Sequence, residues 1–174
     1  MASKKKSNVV LSICKISQMN FHQYYPVDVI NGEGTRCTLF VAGCEHQCRG
    51  CYNQSTLPLD SGQVFDKLME DRIIADLNDM RIIRRGLSLS GGDPLHPANV
   101  SAVLALVNRV RRECTKKDIW LWTGYKLSNL TMEQQAIVAL LDVLIDGKFE
   151  QSLANPSLLW KGSSNQVIYR LTPA

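Results

Sequence analysis

The sequence predicts an α/β fold, an open, partial (βα) barrel with parallel strands. Three observations lead there. Short apolar runs alternate with longer segments whose apolar residues recur at helical spacing, and strands separated by helices pair in parallel through right-handed crossovers. Such units are too few for the eight of a closed barrel. Each apolar run also ends in glycine or polar residues. This puts Cys44 to Cys51, Gly91 to Asp93, Thr123 to Tyr125 and Asp146-Gly147 on one carboxyl rim, where ligands bind in such sheets.

The elements follow in chain order. Residues 1–18 read as an N-terminal extension. Met1 to Ser7 is a polar, lysine-rich tail expected to be mobile, and Val9 to Ile16 alternates weakly, as an added strand or part of an appended segment. Residues 19–174 are expected to form a single domain. Phe21 to Ile30 leads into Asn31-Gly32-Glu33-Gly34, a turn that calls for positive φ or a close backbone approach. Thr38 to Ala42 is the first barrel strand, stopped by Gly43. After Asp60-Ser61-Gly62 a helix is predicted, because Phe65, Met69, Ile73, Leu77 and Met80 make one apolar stripe opposite a charged face. Gly86 opens a second strand, Leu87 to Ser90. Pro97 suits the first turn of the next helix, whose stripe is Val100, Val103, Leu104, Val107 and Val110. Ile119 to Thr123 is a third strand, and Thr131 with Gln134 has the spacing of a capping box for a helix through Ile137 and Leu141. Val143 to Ile145 and Val167 to Tyr169 are the last strands.

A chain of 174 residues with 45% hydrophobic and 21% charged residues suits one globular domain. No apolar run approaches the ~20 residues of a membrane helix, and the lysine-rich start lacks the apolar stretch of a signal peptide, so a cytoplasmic protein is expected. In that reducing compartment six cysteines speak for metal rather than a disulfide framework. The net charge of +4 lies in small groups, expected as solvated faces or as a surface for an acidic partner or electron donor. Aromatic residues are not interleaved with those charges, which argues against nucleic acid.

The chemistry concentrates in CTLFVAGCEHQCRGCYN, residues 37–53. Cys44, Cys48 and Cys51 stand in a short loop after a strand, an arrangement of soft donors able to converge on one centre. Structural zinc and electron-carrying clusters take four closed ligands. Three thiolates on a four-iron cluster leave one iron open. A zinc knuckle completed by His46, Cys37 or Cys14 is the competing reading, although Cys37 would lie about 23 Å from Cys44 along an extended strand. An electron carrier without further chemistry is a third.

CEHQCRGC resembles the cluster loop of the radical S-adenosylmethionine superfamily, in which an aromatic residue usually precedes the last cysteine. Here Gly50 holds that position, leaving backbone contact at Gly50 or stacking by Tyr52 in its place. NGEGTRCTLFVAGC, CYNQST, SGGDPLHP, DIWLWTGY and WKGSSNQ together resemble one branch of that superfamily, the activators of anaerobic ribonucleoside-triphosphate reductase. The resemblance runs from about Met19 to the C-terminus.

It implies a radical-SAM type of partial barrel and a 4Fe-4S cluster on Cys44, Cys48 and Cys51. S-adenosyl-L-methionine would be held by Gly50, Cys51, Tyr52, Asn53, Gly91, Gly92 and Asp93, glycine admitting the backbone to its methionine end and the Asp93 carboxylate taking up the ammonium. Gly92→Val is accordingly expected to keep the cluster and lose the cofactor. No side chain acts as a general base, since the cofactor carries the hard step. The implied reaction takes one electron from reduced flavodoxin, cleaves S-adenosylmethionine, and uses the 5′-deoxyadenosyl radical to make a glycyl radical on the large subunit of the reductase. Formate lyase is an alternative target, and a non-catalytic zinc-binding module an alternative function. Trp120 and Trp122 share a face and serve the core or line the cavity, while Trp160 to Gln166 is a candidate partner surface. Cys14 and Cys114 are expected to be free thiols without a role, and His22 and His96 hydrogen-bonded structural residues.

Overall fold

The computed structural model of the chain describes residues 19–173; Val9 to Ile16 and Cys14 lie outside them. Among the described residues seven strands form one sheet: β1 (Asn20–Asp28), β2 (Arg36–Val41), β3 (Gln63–Val64), β4 (Gly86–Gly91), β5 (Asp118–Trp122), β6 (Val143–Asp146) and β7 (Val167–Arg170). Their order is β3-β1-β2-β4-β5-β6-β7, so the sheet stays open. Three helices, α1 (Lys67–Asn78), α2 (Val100–Glu113) and α3 (Met132–Val138), fill the connections between β2, β4, β5 and β6.

Parallel pairing is confined to those four central strands. This corrects the expectation of parallel strands throughout, and connection length explains it. β1 reaches β2 through a turn of residues 29–35, too short for a crossover, and pairs antiparallel. β7 follows β6 without an intervening α-helix and also runs antiparallel. The sequence pattern predicts neither β1 nor β3 as a strand. In the turn, Gly32 and Gly34 do adopt positive φ, +116° and +71°.

Alternation along the central strands separates two faces. Cys37, Leu39 and Val41, Leu87 and Leu89, Ile119 and Leu121 pack with the buried sides of all three helices in one core. Met69, Ile73 and Leu77 supply the stripe of α1, whereas Met80 lies past its end and is 80% exposed. In α2 the buried residues are Val100, Val103, Leu106, Val107 and Val110, with Leu104 only half-buried and Pro97 ahead of the helix. Asp66 caps α1 by accepting from the Met69 amide, and Thr131 with Gln134 closes the capping box of α3.

The opposite, uncovered face carries Arg36, Thr38, Ser88, Ser90, Trp120 and Trp122. Among the described residues no helix covers this polar and aromatic face, and its carboxyl end, Ser90 and Trp122, lines a cavity. At its lower end Arg36 is fully buried. Its guanidinium donates to Ser88 Oγ at 2.7 Å, pairs with Asp118 at 2.6 Å, and lies 5.1 Å from the centre of the Trp120 ring. Burial pushes its pKa down, while Asp118 raises it. Arg84 is buried too, donating to Pro26 O at 2.6 Å, so this part of the basic complement is internal wiring rather than a solvated face. Arg36→Met should lower the stability of the metal-free protein by about 3 kcal/mol, the low end for breaking a buried pair, because Asp118 keeps partial access to solvent. Urea unfolding followed by circular dichroism measures it, and an unchanged midpoint would refute the assignment. Among the described residues no helix is long and apolar enough to cross a membrane.

Candidate functional site

Parallel register brings the carboxyl ends of the central strands level, with Val41 beside Gly91. The segment that leaves β2 must then turn sharply, and it does so through three residues with left-handed backbone: Gly43 (φ +95°), Gln47 (φ +50°) and Gly50 (φ +72°). An aromatic residue at position 50 would be strained in that conformation, which explains the glycine there. The loop is tied at both ends. Gly43 N donates to Thr56 O at 2.8 Å and Cys44 N to Leu57 O at 3.0 Å, while Cys51 N donates to Cys48 O at 3.2 Å.

Cys44, Cys48 and Cys51 are half-buried free thiols on the wall of one cavity of about 430 Å³. Burial pushes the Cys44 thiol up to about 11, against a backbone hydrogen bond at His46 that lowers it; in the metal-free protein it is therefore protonated at neutral pH, and a metal must displace that proton. The same cavity is lined by Ser90, Gly91 and Gly92 and by Tyr52, Asn53, Trp122 and Trp160. Asn53 joins the two walls, its amide donating to Gly91 O at 3.1 Å. A volume of this size lies within the range for small-molecule sites.

The structure thus brings Cys51, Tyr52, Asn53, Gly91 and Gly92 onto one cavity. Gly50 and Asp93 do not line it. Tyr52 is 92% exposed at the mouth, its ring edge-on to Phe149 at 6.5 Å. Asp93 is 1% exposed and faces away. Its Oδ1 accepts from Leu95 N at 2.8 Å and Thr123 Oγ1 at 2.9 Å, and its Oδ2 from Gly124 N at 2.9 Å and His46 Nε2 at 2.6 Å. Four donors saturate a carboxylate.

Gly91 and Gly92 are glycines for the sake of the neighbouring backbone. A Cβ on Gly91 would lie 2.6 Å from Val41 O, and one on Gly92 2.5 Å from Gly43 O. Asn99 is a residue the sequence reading missed: its buried amide bridges Ala42 O at 2.8 Å and Asp93 O at 3.0 Å, locking the end of β2 to the glycine turn. Its only signal was its place just before α2, which reads equally as a cap.

The residues fit an iron-sulfur cluster with an open position. Three soft donors share one cavity, and of the candidates for a fourth among the described residues His46 borders it with its Nε2 bonded to Asp93, while Cys37 lies on the helix-covered face, donating to Pro26 O at 3.6 Å. Among the described residues no three His, Cys, Asp or Glu side chains close around the position of a single ion. Cys114 is buried near Asn78, far along the chain from this loop. His22 bonds Ser61 and Ser55 through its ring nitrogens, and His96 accepts from Ala98 N, as expected of structural histidines. Trp120 is core, 1% exposed, while Trp122 lines the cavity and donates through Nε1 to Trp160 O at 2.6 Å.

Residues 30–169 match the family described as a 4Fe-4S single cluster domain. The chain is 68% identical over 154 residues to a protein of Vibrio cholerae serotype O1 and 65% identical over 153 residues to one of Escherichia coli strain K12, in each case 88% of this chain and 99% of the relative. A protein of Enterobacteria phage T4 is 43% identical over 154 residues, 88% of this chain and 96% of the relative. All three relatives bear the name anaerobic ribonucleoside-triphosphate reductase-activating protein.

Proposed function

Because the chain belongs to the 4Fe-4S single cluster domain family and, with its relatives, to the anaerobic ribonucleoside-triphosphate reductase-activating proteins, we propose that it installs the glycyl radical of that reductase. It is a radical-SAM activase, and its sheet is the open barrel of that type, built from residues 19–174 as one domain. Cys44, Cys48 and Cys51 hold the 4Fe-4S cluster, each giving up its thiol proton on binding. Cys51, Tyr52, Asn53, Gly91 and Gly92 hold S-adenosylmethionine, and Gly50 serves them through the left-handed turn it gives the loop. When bound, cluster and cofactor together supply a one-electron cleavage whose product removes hydrogen from a glycine of the reductase.

The remaining work belongs to the chain itself. Gly91 and Gly92 offer a side-chain-free wall, and the saturated carboxylate of Asp93 leaves the backbone of Ser90 to Gly92 to meet the amino end of the cofactor. Trp122, Phe149 and Trp160 exclude water from the opposite side. The large subunit of the reductase is the macromolecular substrate, reduced flavodoxin the electron donor, and the cytoplasm the site of action.

The observation that carries this reading is the convergence of three thiols and a glycine wall on one cavity, where the His46 Nε2 is taken by Asp93 and Cys37 lies on the other face of the sheet. It is tested by loading the protein with iron and sulfide anaerobically, reducing it, and mixing it with S-adenosylmethionine and the reductase. A glycyl radical detected by spin resonance is expected, and none when formate lyase replaces the reductase. A fully loaded protein that yields no radical on the reductase would sink the proposal.

A further inference from the structure

Between Cys44 and Cys48 the chain carries a histidine whose side chain is 6% exposed, an unusual depth for a ring in a loop on the rim of a sheet. It is drawn inward by Asp93. Asp93 grips the loop twice: its backbone N–H donates to Gly43 O at 2.7 Å, and its Oδ2 accepts from His46 Nε2 at 2.6 Å. Cys44 therefore sits between two points fastened to a single residue. That residue directly follows Gly91-Gly92, which line the same cavity as the cysteines.

A second strand end takes part. Thr123 Oγ1 and Gly124 N, just past β5, donate to the same carboxylate at 2.9 Å each. The Tyr125 ring packs edge-on against the His46 ring at 4.5 Å, and its hydroxyl donates to Glu45 Oε1 at 2.6 Å. Position 124 must lack a side chain for the ring to enter, since a Cβ there would lie 2.2 Å from His46 Cδ2. Thr123, Gly124 and Tyr125 thus all serve one contact.

We infer that the His46–Asp93 hydrogen bond is a clasp that sets the distance between the cysteine loop and the glycine wall, making His46 a positioning residue for S-adenosylmethionine at the cluster. The clasp rests on the function proposed above. His46 and Gly124 border the cavity beside the cysteines, but with its Nε2 held by Asp93 the His46 ring acts through Cys44 and the Gly91-Gly92 backbone rather than as a ligand. An outer hydrogen bond of this kind orients a ligand without supplying it. Asp93 belongs to the site from behind the wall rather than on it.

The test compares His46→Ala, His46→Gln and Gly124→Ala with the natural protein, each loaded anaerobically and reduced. In the natural protein, S-adenosylmethionine is expected to change the spin-resonance spectrum of the cluster. His46→Ala and Gly124→Ala should hold a full complement of iron and sulfide yet need about tenfold or more cofactor for that change. His46→Gln, whose amide nitrogen can replace Nε2, should recover most of the loss. In the metal-free protein, amide exchange across residues 44–48 should quicken in His46→Ala and Gly124→Ala but not in His46→Gln. Natural titration by His46→Ala, a glutamine variant as impaired as alanine, or loss of the cluster itself would each overturn the clasp. If the natural protein shows no spectral response, the proposed function fails, and the exchange measurement still decides whether the clasp exists.

Discussion

Cys48→Ala is expected to abolish cluster assembly and reductase activation together. Cys48 is the middle of three thiols on the cavity wall, and among the described residues the donors that might replace it are engaged, His46 through its Nε2 with Asp93 and Cys37 with Pro26 on the far face of the sheet. Two thiolates do not hold a cluster of four irons, so iron and sulfide per chain should fall to background and radical yield by more than about a hundredfold, since a cofactor-borne reaction has no side chain to fall back on. Cys114→Ala, buried beside α1, should load normally and serves as the control. The measurement is iron and sulfide content with spin resonance of the mixed proteins. A Cys48→Ala preparation that still forms glycyl radical would remove this residue from the ligand set.

Gly92→Val is expected to damage the cluster and the cofactor site alike. The sequence reading assigns Gly92 to the cofactor alone and expects the cluster to survive; packing says otherwise. A Cβ at position 92 meets Gly43 O at 2.5 Å, and Gly92 N already donates to Val41 O at 2.8 Å, so neither partner can retreat without moving the residue that precedes Cys44. Overpacking of this kind costs about 1–3 kcal/mol, and a ligand displaced by an ångström can cost about a hundredfold in rate. Iron content per chain should drop, with a lower thermal midpoint of the metal-free protein. Full iron content with cofactor binding alone lost would restore the sequence-based expectation.

Much of this protein is legible in one dimension because the signals are local. The cysteine spacing, the stripe of Met69, Ile73 and Leu77, the capping box of Thr131 and Gln134, and the alternation of Trp120 and Trp122 each depend on residues a few positions apart. Local signals also yielded the parallel centre, since a helix between two strands compels a crossover. They failed where the partner is distant. Phe21 to Asp28 gave no clean alternation, with Pro26 in its midst, and becomes a strand because β2 offers it an edge.

The amino-acid order alone determined which atoms can do chemistry here: three thiols in one loop, a glycine turn after the next parallel strand, and helices to support them. The tertiary structure decided what those atoms are free to do. Asp93 is a carboxylate beside a glycine pair in the sequence, and only folding shows its lone pairs filled by Leu95, Thr123, Gly124 and His46. The physical reason is that a hydrogen-bonding group has a fixed capacity, and the donors that fill it come from strands separated by tens of residues.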